Sequence, residues 1–255
     1  MPLELLALRC LSDNYAYLLH DTESGQTAVV DVPETGPILA ALADKGWTLS
    51  HILITHHHND HIGGVAELRA ATGAQVWGAA ADAHRLPPLD HALREGDNLS
   101  FGGEDVHVID VSGHTIGHIA FHVPQSDVVF TADSLMAMGC GRLFEGTPAQ
   151  MWQSLCKLTA LPDATRVCSG HDYSQGNAAF AQSVDADNPA LAARIAAFED
   201  MRRQNAPMAI ATLAEEKATN PFLRATSDQM KASLGMDGAS DTETFAELRA
   251  RKDRF

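Results

Sequence analysis

Positive charge, long apolar runs and paired cysteines are all scarce in this 255-residue chain. Lysine and arginine total 18 against 33 aspartates and glutamates, a net charge of −15. A generally basic surface is excluded, and nucleic acid is not an expected partner. No apolar stretch approaches the ~20 residues of a membrane span. The opening MPLELLALRC lacks a basic start and a cleavage site, so neither membrane insertion nor export is expected. Cys10, Cys140, Cys156 and Cys168 show no CxxC or disulfide-scaffold spacing. Each reads as a small buried hydrophobe, which fits a reducing cytoplasm. There is no G-x-S-x-G nucleophile elbow, internal repeat, low-complexity tract or long linker. The apolar content of 45% is ordinary for a soluble chain and leaves room for one large domain or a domain with an appendage.

Against these absences stands one dense cluster. Residues 54–64, ITHHHNDHIGG, place four histidines and an aspartate in six consecutive positions. The preceding SHILI is short, apolar and β-branched, and reads as a buried strand ending at Thr55. The following GGVAELRAATG has helical spacing and a closing glycine. His56 and His58, two apart in extended chain, point to one side and His57 to the other. Asp60 and His61 are adjacent and, on a tight turn, face a neighbouring point. Imidazole and carboxylate are common metal donors, so the pattern suggests two metals side by side. A histidine-rich surface loop would need neither the acid nor the buried strand.

T-H-H-H-N-D-H resembles the T-H-x-H-x-D-H signature of the metallo-β-lactamase superfamily, and the chain as a whole resembles the hydroxyacylglutathione hydrolase (glyoxalase II) family within it. The resemblance implies an α/β fold, an αββα sandwich over residues 1–173, followed by a helical substrate-binding domain over 174–255. LSDNYAYLLHD resembles the family's first hairpin, including its Asp13-Asn14-Tyr15 corner. AVVDV resembles the second signature, whose aspartate, here Asp31, is not a ligand and reads as supporting or structural. His114 follows Gly113, a residue that lets the backbone turn so the imidazole can approach a site. Its G-H-T-x-G-H context matches the third motif, while His118 and His122 read as packing groups. VVFTADSL resembles F-T-G-D-T with Ala132 and Ser134 substituted, which makes Asp133 the carboxylate bridging two metals. GCGRLFEGT resembles G-C-G-K-F-Y-E-G-T, a loop that helps hold glutathione. Arg142 takes its basic role, and Phe144 stands in place of a tyrosine, removing one substrate hydroxyl contact. In TRVCSGHDY, His171 completes the ligand set and Tyr173 matches a tyrosine that contacts glutathione. Near the C-terminus, Arg249 and Lys252 match an arginine–lysine pair that binds the glycyl carboxylate of glutathione. Glu215-Glu216-Lys217 and the segment Asn220-Pro-Phe-Leu-Arg224 resemble the family's E-E…N-P-F-x-R stretch.

Periodicity places strands at 3–10, 14–20 and 27–32, a helix ending near Gly46, and further strands at QVWGA and EDVHVIDV. Thr147-Pro-Ala-Gln150 is a capping box opening a helix through Leu161. Beyond about residue 174 strand signals stop and helices are expected, one over 189–204 and others opened by capping boxes at Thr212 and Ser240.

Assembled, these readings give His56, His58 and His114 to one metal and Asp60, His61 and His171 to the other, with Asp133 between them. Two ions lower the pKa of a shared water, and the resulting hydroxide is expected to attack a thioester carbonyl. Asp60 is a candidate for orienting that hydroxide. Zinc suits the donors, with iron and manganese close behind. By the resemblance, the substrate is S-D-lactoylglutathione, hydrolysed to lactate and glutathione in the second step of methylglyoxal detoxification. The chain is expected to act as a monomer on this small molecule. A lactonase or β-lactamase would not need Arg142, Arg249 and Lys252. A mono-iron glutathione persulfide dioxygenase would leave Asp60, His61 and His171 unused. A non-catalytic metal-binding protein or sensor would be favoured by a missing ligand, and none is missing.

Overall fold

The computed structural model describes residues 3–204 and 206–255. These fall into two compact units, one made of residues up to 111 together with 116–132, the other of 112–115 together with 133–255.

The first unit opens with a mixed sheet of six strands in sequential order: β1 (Glu4–Cys10), β2 (Asn14–His20), β3 (Gln26–Val30), β4 (Thr48–Leu53), β5 (Gln75–Ala79) and β6 (His91–Leu93). The first three are antiparallel, joined by short turns, and β3 to β6 run parallel. Parallel pairing needs crossovers; two amphipathic helices supply the first two, and a loop over 80–90 supplies the third. The helices are α1 (Thr35–Lys45), closed by Gly46 in the left-handed conformation, and α3 (Val65–Thr72), closed the same way by Gly73; the single turn α2 (Asn59–Ile62) lies between them. Ile38 and Leu42 of α1 and Val65 and Leu68 of α3 pack on Val29, Ile52 and Val76 of the sheet. Four antiparallel strands follow in order: β7 (Asn98–Phe101), β8 (Glu104–Asp110), β9 (Ile119–Val123) and β10 (Val128–Ala132). All seven residues of β2 are buried, so that strand is covered on both faces. From the second set, Phe130 meets its Tyr17 with ring centroids 5.5 Å apart.

The motif strand stops two residues earlier than its composition suggests, at Leu53 rather than Thr55. The cause is local competition for hydrogen bonds: the Thr55 amide donates to the carboxylate of Asp31, not to a neighbouring strand.

The second unit contains the hairpin β11 (Leu135–Met136) and β12 (Gly139–Cys140), the helix α4 (Pro148–Thr159) and β13 (Arg166–Ser169). It also holds α5 (Ser174–Val184), α6 (Pro189–Arg203), α7 (Leu213–Thr219), α8 (Asp228–Leu234) and α9 (Asp241–Arg254). All three expected capping boxes form, with Thr147, Thr212 and Ser240 accepting from the amides of Gln150, Glu215 and Glu243. One expectation fails. A short strand, β14 (Ile210–Thr212), lies well past residue 174 and pairs antiparallel with β13. Three half-buried residues are too few to show a period, and the pairing comes from a partner more than forty positions away. Phe180, Phe222 and Phe245 are fully buried and meet at 5.8 and 5.9 Å, forming the aromatic core of this unit. Of the cysteines, Cys10, Cys140 and Cys168 are buried as expected, whereas Cys156 on α4 is exposed.

Ala132, where the family usually has glycine, sits at φ +41°, in the left-handed region that disfavours a Cβ. Replacing Ala132 with glycine is expected to hold or raise stability by up to about 1 kcal/mol, and with valine to lower it by about 2 kcal/mol or more. Thermal melting of the two variants checks the sign.

Candidate metal centre

In the first unit, one buried carboxylate organises the motif. Asp31 accepts from the Thr55 amide at 2.9 Å, the Thr55 hydroxyl at 2.8 Å and His61 Nδ1 at 2.8 Å. The Thr55 hydroxyl proton therefore points at Asp31, and Thr55 Oγ1 is left to accept from His56 Nδ1 at 3.1 Å. A single carboxylate thus places the proton of both His56 and His61 on Nδ1. In the neutral rings Nε2 is then a lone pair, the form in which imidazole binds metal. His56 Nε2 lies 3.1 Å from His58 Nδ1, and His61 Nε2 lies 3.7 Å from Asp60 Oδ2. The donor atoms of His56 and His58, of His56 and His61, and of Asp60 and His61 each come within 4.8 Å of one another. Asn14 Nδ2 donates to both the carbonyl and the carboxylate of Asp60, fixing α2 at its first turn.

His57 turns away, as alternation requires, and its Nδ1 lies 3.2 Å from Asp82, which is also bound by Arg85. Spacing along the chain gave no hint of this group, because Asp82 is 25 positions from His57. His118 stacks flat on His56 at 4.6 Å, a packing role of the kind its position suggested.

In the second unit, the same tautomer logic recurs with a different acceptor. His114 Nδ1 lies 2.8 Å from the Arg142 carbonyl, which can only accept, so Nδ1 carries the proton and Nε2 the lone pair. That lone pair faces Asp133 Oδ2 at 3.3 Å, and His171 Nε2 faces the same oxygen at 3.4 Å. A carboxylate oxygen between two imidazole nitrogens calls for cations in the gap, either protons or metal. Each unit thus presents imidazole and carboxylate donors of the kind a divalent ion takes. Gly141 makes this arrangement possible: a Cβ there would lie 2.0 Å from the Asp133 carbonyl and 2.9 Å from His114 Nδ1.

The residues matched to glutathione contacts also lie in the second unit. Phe144 is 63% exposed, with its ring edge toward His114 at 5.2 Å. Tyr173 stacks on His171 at 4.6 Å and stays exposed. Arg142 is exposed, Lys252 is half-buried, and Arg249 is only 4% exposed. The Arg249 guanidinium donates to the Cys140 carbonyl at 2.8 Å and to Asp253, and lies over the Phe222 ring. Lys252 donates to the Gly176 carbonyl at 2.7 Å. Partial burial, then the Arg249 and Arg142 charges, lower its pKa below the usual lysine range. Arg249 and Arg142 thus lie near enough to Lys252 for their charges to act on it. The buried thiols of Cys10 and Cys140 are both pushed up to about 11 by burial, so neither is a thiolate nucleophile near neutral pH.

Residues 12–171 match the model of the metallo-beta-lactamase superfamily, and residues 172–255 match that of the hydroxyacylglutathione hydrolase C-terminus. The hydroxyacylglutathione hydrolases of Fuscovulum blasticum and Cereibacter sphaeroides are 63% and 60% identical to the chain over 255 residues, covering all of each. The chain belongs to the hydroxyacylglutathione hydrolase family. Membership makes it an enzyme, a metal-dependent hydrolase with the metallo-β-lactamase fold and a C-terminal helical domain. Among solved structures, ETHE1 from Myxococcus xanthus aligns over 98% of this chain and 90% of its own, with a TM-score of 0.69 and 26% identity. TTHA1623, solved in a di-iron-bound form, aligns over 86% of this chain and 100% of its own, with a TM-score of 0.60 and 29% identity. No helix among the described residues is long and apolar enough to cross a membrane.

Removing the Asp31 carboxylate should release the tautomers of both His56 and His61. Asp31→Ala is expected to lower metal affinity about 10–100-fold, measured by competition with a chromogenic chelator.

Proposed function

We propose that the chain hydrolyses S-D-lactoylglutathione and related 2-hydroxyacyl thioesters of glutathione, with two divalent ions at its active site. The observation that carries the substrate assignment is the full-length likeness to hydroxyacylglutathione hydrolases, C-terminal region included, and the cations Arg142, Arg249 and Lys252 near one another are consistent with a substrate that ends in a carboxylate. By the family resemblance, His56, His58 and His114 would hold one ion, Asp60, His61 and His171 the other, with Asp133 shared. Divalent ions bound there would supply Lewis-acid chemistry, activating water near neutral pH and polarising the thioester carbonyl.

The chain's own residues do the rest. Asp31 and the Arg142 carbonyl keep the imidazoles in the ligating tautomer. Asp60, its carboxylate held by Asn14, is assigned the orientation of the attacking oxygen. Lys252 and Arg142 are accessible enough to hold the glycyl carboxylate. Arg249, being buried, acts chiefly by shaping the hairpin and by its charge. Tyr173 and Phe144 offer ring faces to the peptide part of glutathione, the phenylalanine without a hydroxyl to donate. Zinc suits the imidazole and carboxylate donors, and the di-iron form of TTHA1623 makes iron an equal candidate.

Loss of thioester absorbance on adding purified protein to S-D-lactoylglutathione tests the reaction, with metal content measured on the same sample. Turnover should disappear with excess chelator and return with zinc, iron or manganese. Two bound ions without turnover would move the substrate to another ester or lactone, and one iron without turnover would point to the dioxygenase. Lys252→Ala is expected to raise KM about 10–100-fold with little change in kcat, the range of one charge-assisted hydrogen bond. In the wild type, KM should climb as pH rises, starting below the ordinary lysine value of 10.5, because a lowered pKa surrenders the ammonium charge earlier.

A further inference from the structure

The segment from Glu215 to Arg224 resembles a family motif, yet no residue in it is assigned to metal or substrate. Two of its polar side chains, Glu216 and Asn220, are fully buried and so are unsuited to surface roles. Their partners are informative. Glu216 accepts from the backbone amide of Met138 at 3.0 Å and from Asn220 Nδ2 at 2.9 Å. Asn220 Nδ2 also donates to the carbonyls of Met136 at 3.2 Å and Gly139 at 2.9 Å. On α5, Asn177 donates to the carbonyl of Ala137 at 3.0 Å. The other Glu216 oxygen is paired with Arg194 of α6, which is 7% exposed and bonds Thr219 as well.

Four of these bonds reach one object, the β11–β12 hairpin, and the others tie the side chains that make them to one another and to Arg194. Consecutive backbone groups from 136 to 139 are held by side chains of helical residues, where a free-standing hairpin would use water. Met138, at the hairpin's tip, is in the left-handed region at φ +53° without being glycine, and such a residue persists only where its surroundings over-determine it. Gly139 is the counterpart of this close fit, since a Cβ there would lie 2.4 Å from Asn177 Nδ2. The hairpin has a metal-ligand candidate at one end and a substrate-binding candidate at the other. Asp133 precedes β11 by two residues, and Arg142 follows β12 by two. Arg142 is also the residue whose carbonyl fixes the His114 tautomer.

We infer that Arg194, Glu216, Asn220 and Asn177 form a buried polar latch that positions the 133–142 hairpin, and so sets Asp133, the Arg142 carbonyl and the Arg142 guanidinium in register with one another. The helical part of the chain then governs the metal site as well as the substrate site. These are positioning residues, acting through the hairpin. The inference rests on the assignment of Asp133 and His114 as metal ligands and deepens it.

The test compares three variants of the full chain. Asn220→Ala removes the donors to the Met136 and Gly139 carbonyls, and Asn177→Ala removes only the donor to Ala137. Asn188→Ala serves as the control, because Asn188 is an equally buried helical-region asparagine whose bonds go to Asp185, Ala218 and the amides opening α6. Thermal melting, zinc affinity by chelator competition, and kcat and KM for S-D-lactoylglutathione are measured on each. Asn220→Ala is expected to remain cooperatively folded, to bind zinc about tenfold or more weakly, and to lose kcat as well as raise KM. Asn177→Ala should show the same pattern at smaller size, and carries the test alone if Asn220→Ala does not fold. Asn188→Ala should lower the melting temperature and leave zinc affinity and KM at wild-type values. Wild-type zinc affinity in folded Asn220→Ala or Asn177→Ala would overturn the latch, as would equal losses of zinc affinity in Asn188→Ala at matched melting temperature. Zinc affinity is read without substrate, so an error in the thioester assignment would show as absent wild-type turnover and leave the latch result intact.

Discussion

A ligating imidazole must hold its proton on the nitrogen that does not face the metal, and much of this structure is arranged around that requirement. Asp31 meets it twice, directly for His61 and through the Thr55 hydroxyl for His56. To do so it is buried, it sits at φ +58°, and its carboxylate takes the amide that would otherwise extend β4. The early end of that strand, the strained backbone and the orientation of two histidines are consequences of one carboxylate. His114 meets the same requirement with a backbone carbonyl, which ties its tautomer to the course of the chain at Arg142.

That second solution explains why the 133–142 stretch is so heavily supported. A side-chain acceptor can adjust by rotation, whereas a backbone carbonyl is placed only as well as its loop is. Here the loop is held from the Gly141 amide's bond to the Ser134 carbonyl at one end to the Asn220 and Glu216 bonds in its middle. Ala132, beside Asp133, carries a Cβ in the left-handed region, which costs backbone energy. Left-handed residues at 31, 132 and 138 all lie within a few residues of functional groups, the usual location of stored strain.

Arg142, Arg249 and Lys252 bring positive charge together in a chain of net charge −15. Burial first, then the Arg249 and Arg142 charges, lowers the pKa of Lys252, while Arg249 is bonded to Asp253 and the Cys140 carbonyl and Lys252 to the Gly176 carbonyl. Burial of Arg249 divides the labour, making it a structural cation over Phe222 while Lys252 and Arg142 keep access to solvent.

Local chemistry determined what the sequence could declare alone. Alternation and capping boxes fixed most strands and the helix starts at Thr147, Thr212 and Ser240, because both depend on residues only two or three positions apart. The T-H-H-H-N-D-H run announced metal chemistry for the same reason, with enough donors in one turn to be seen without a fold. What lay beyond its reach depends on partners brought from far along the chain. The pairing of β14 with β13, the hold of Asp82 on His57, and the burial of Arg249 were decided by tertiary contacts. Glu216 and Asn220 could be read as a motif, but their task could not, since a buried carboxylate and amide acquire meaning only from the backbone groups about 80 positions away that they satisfy.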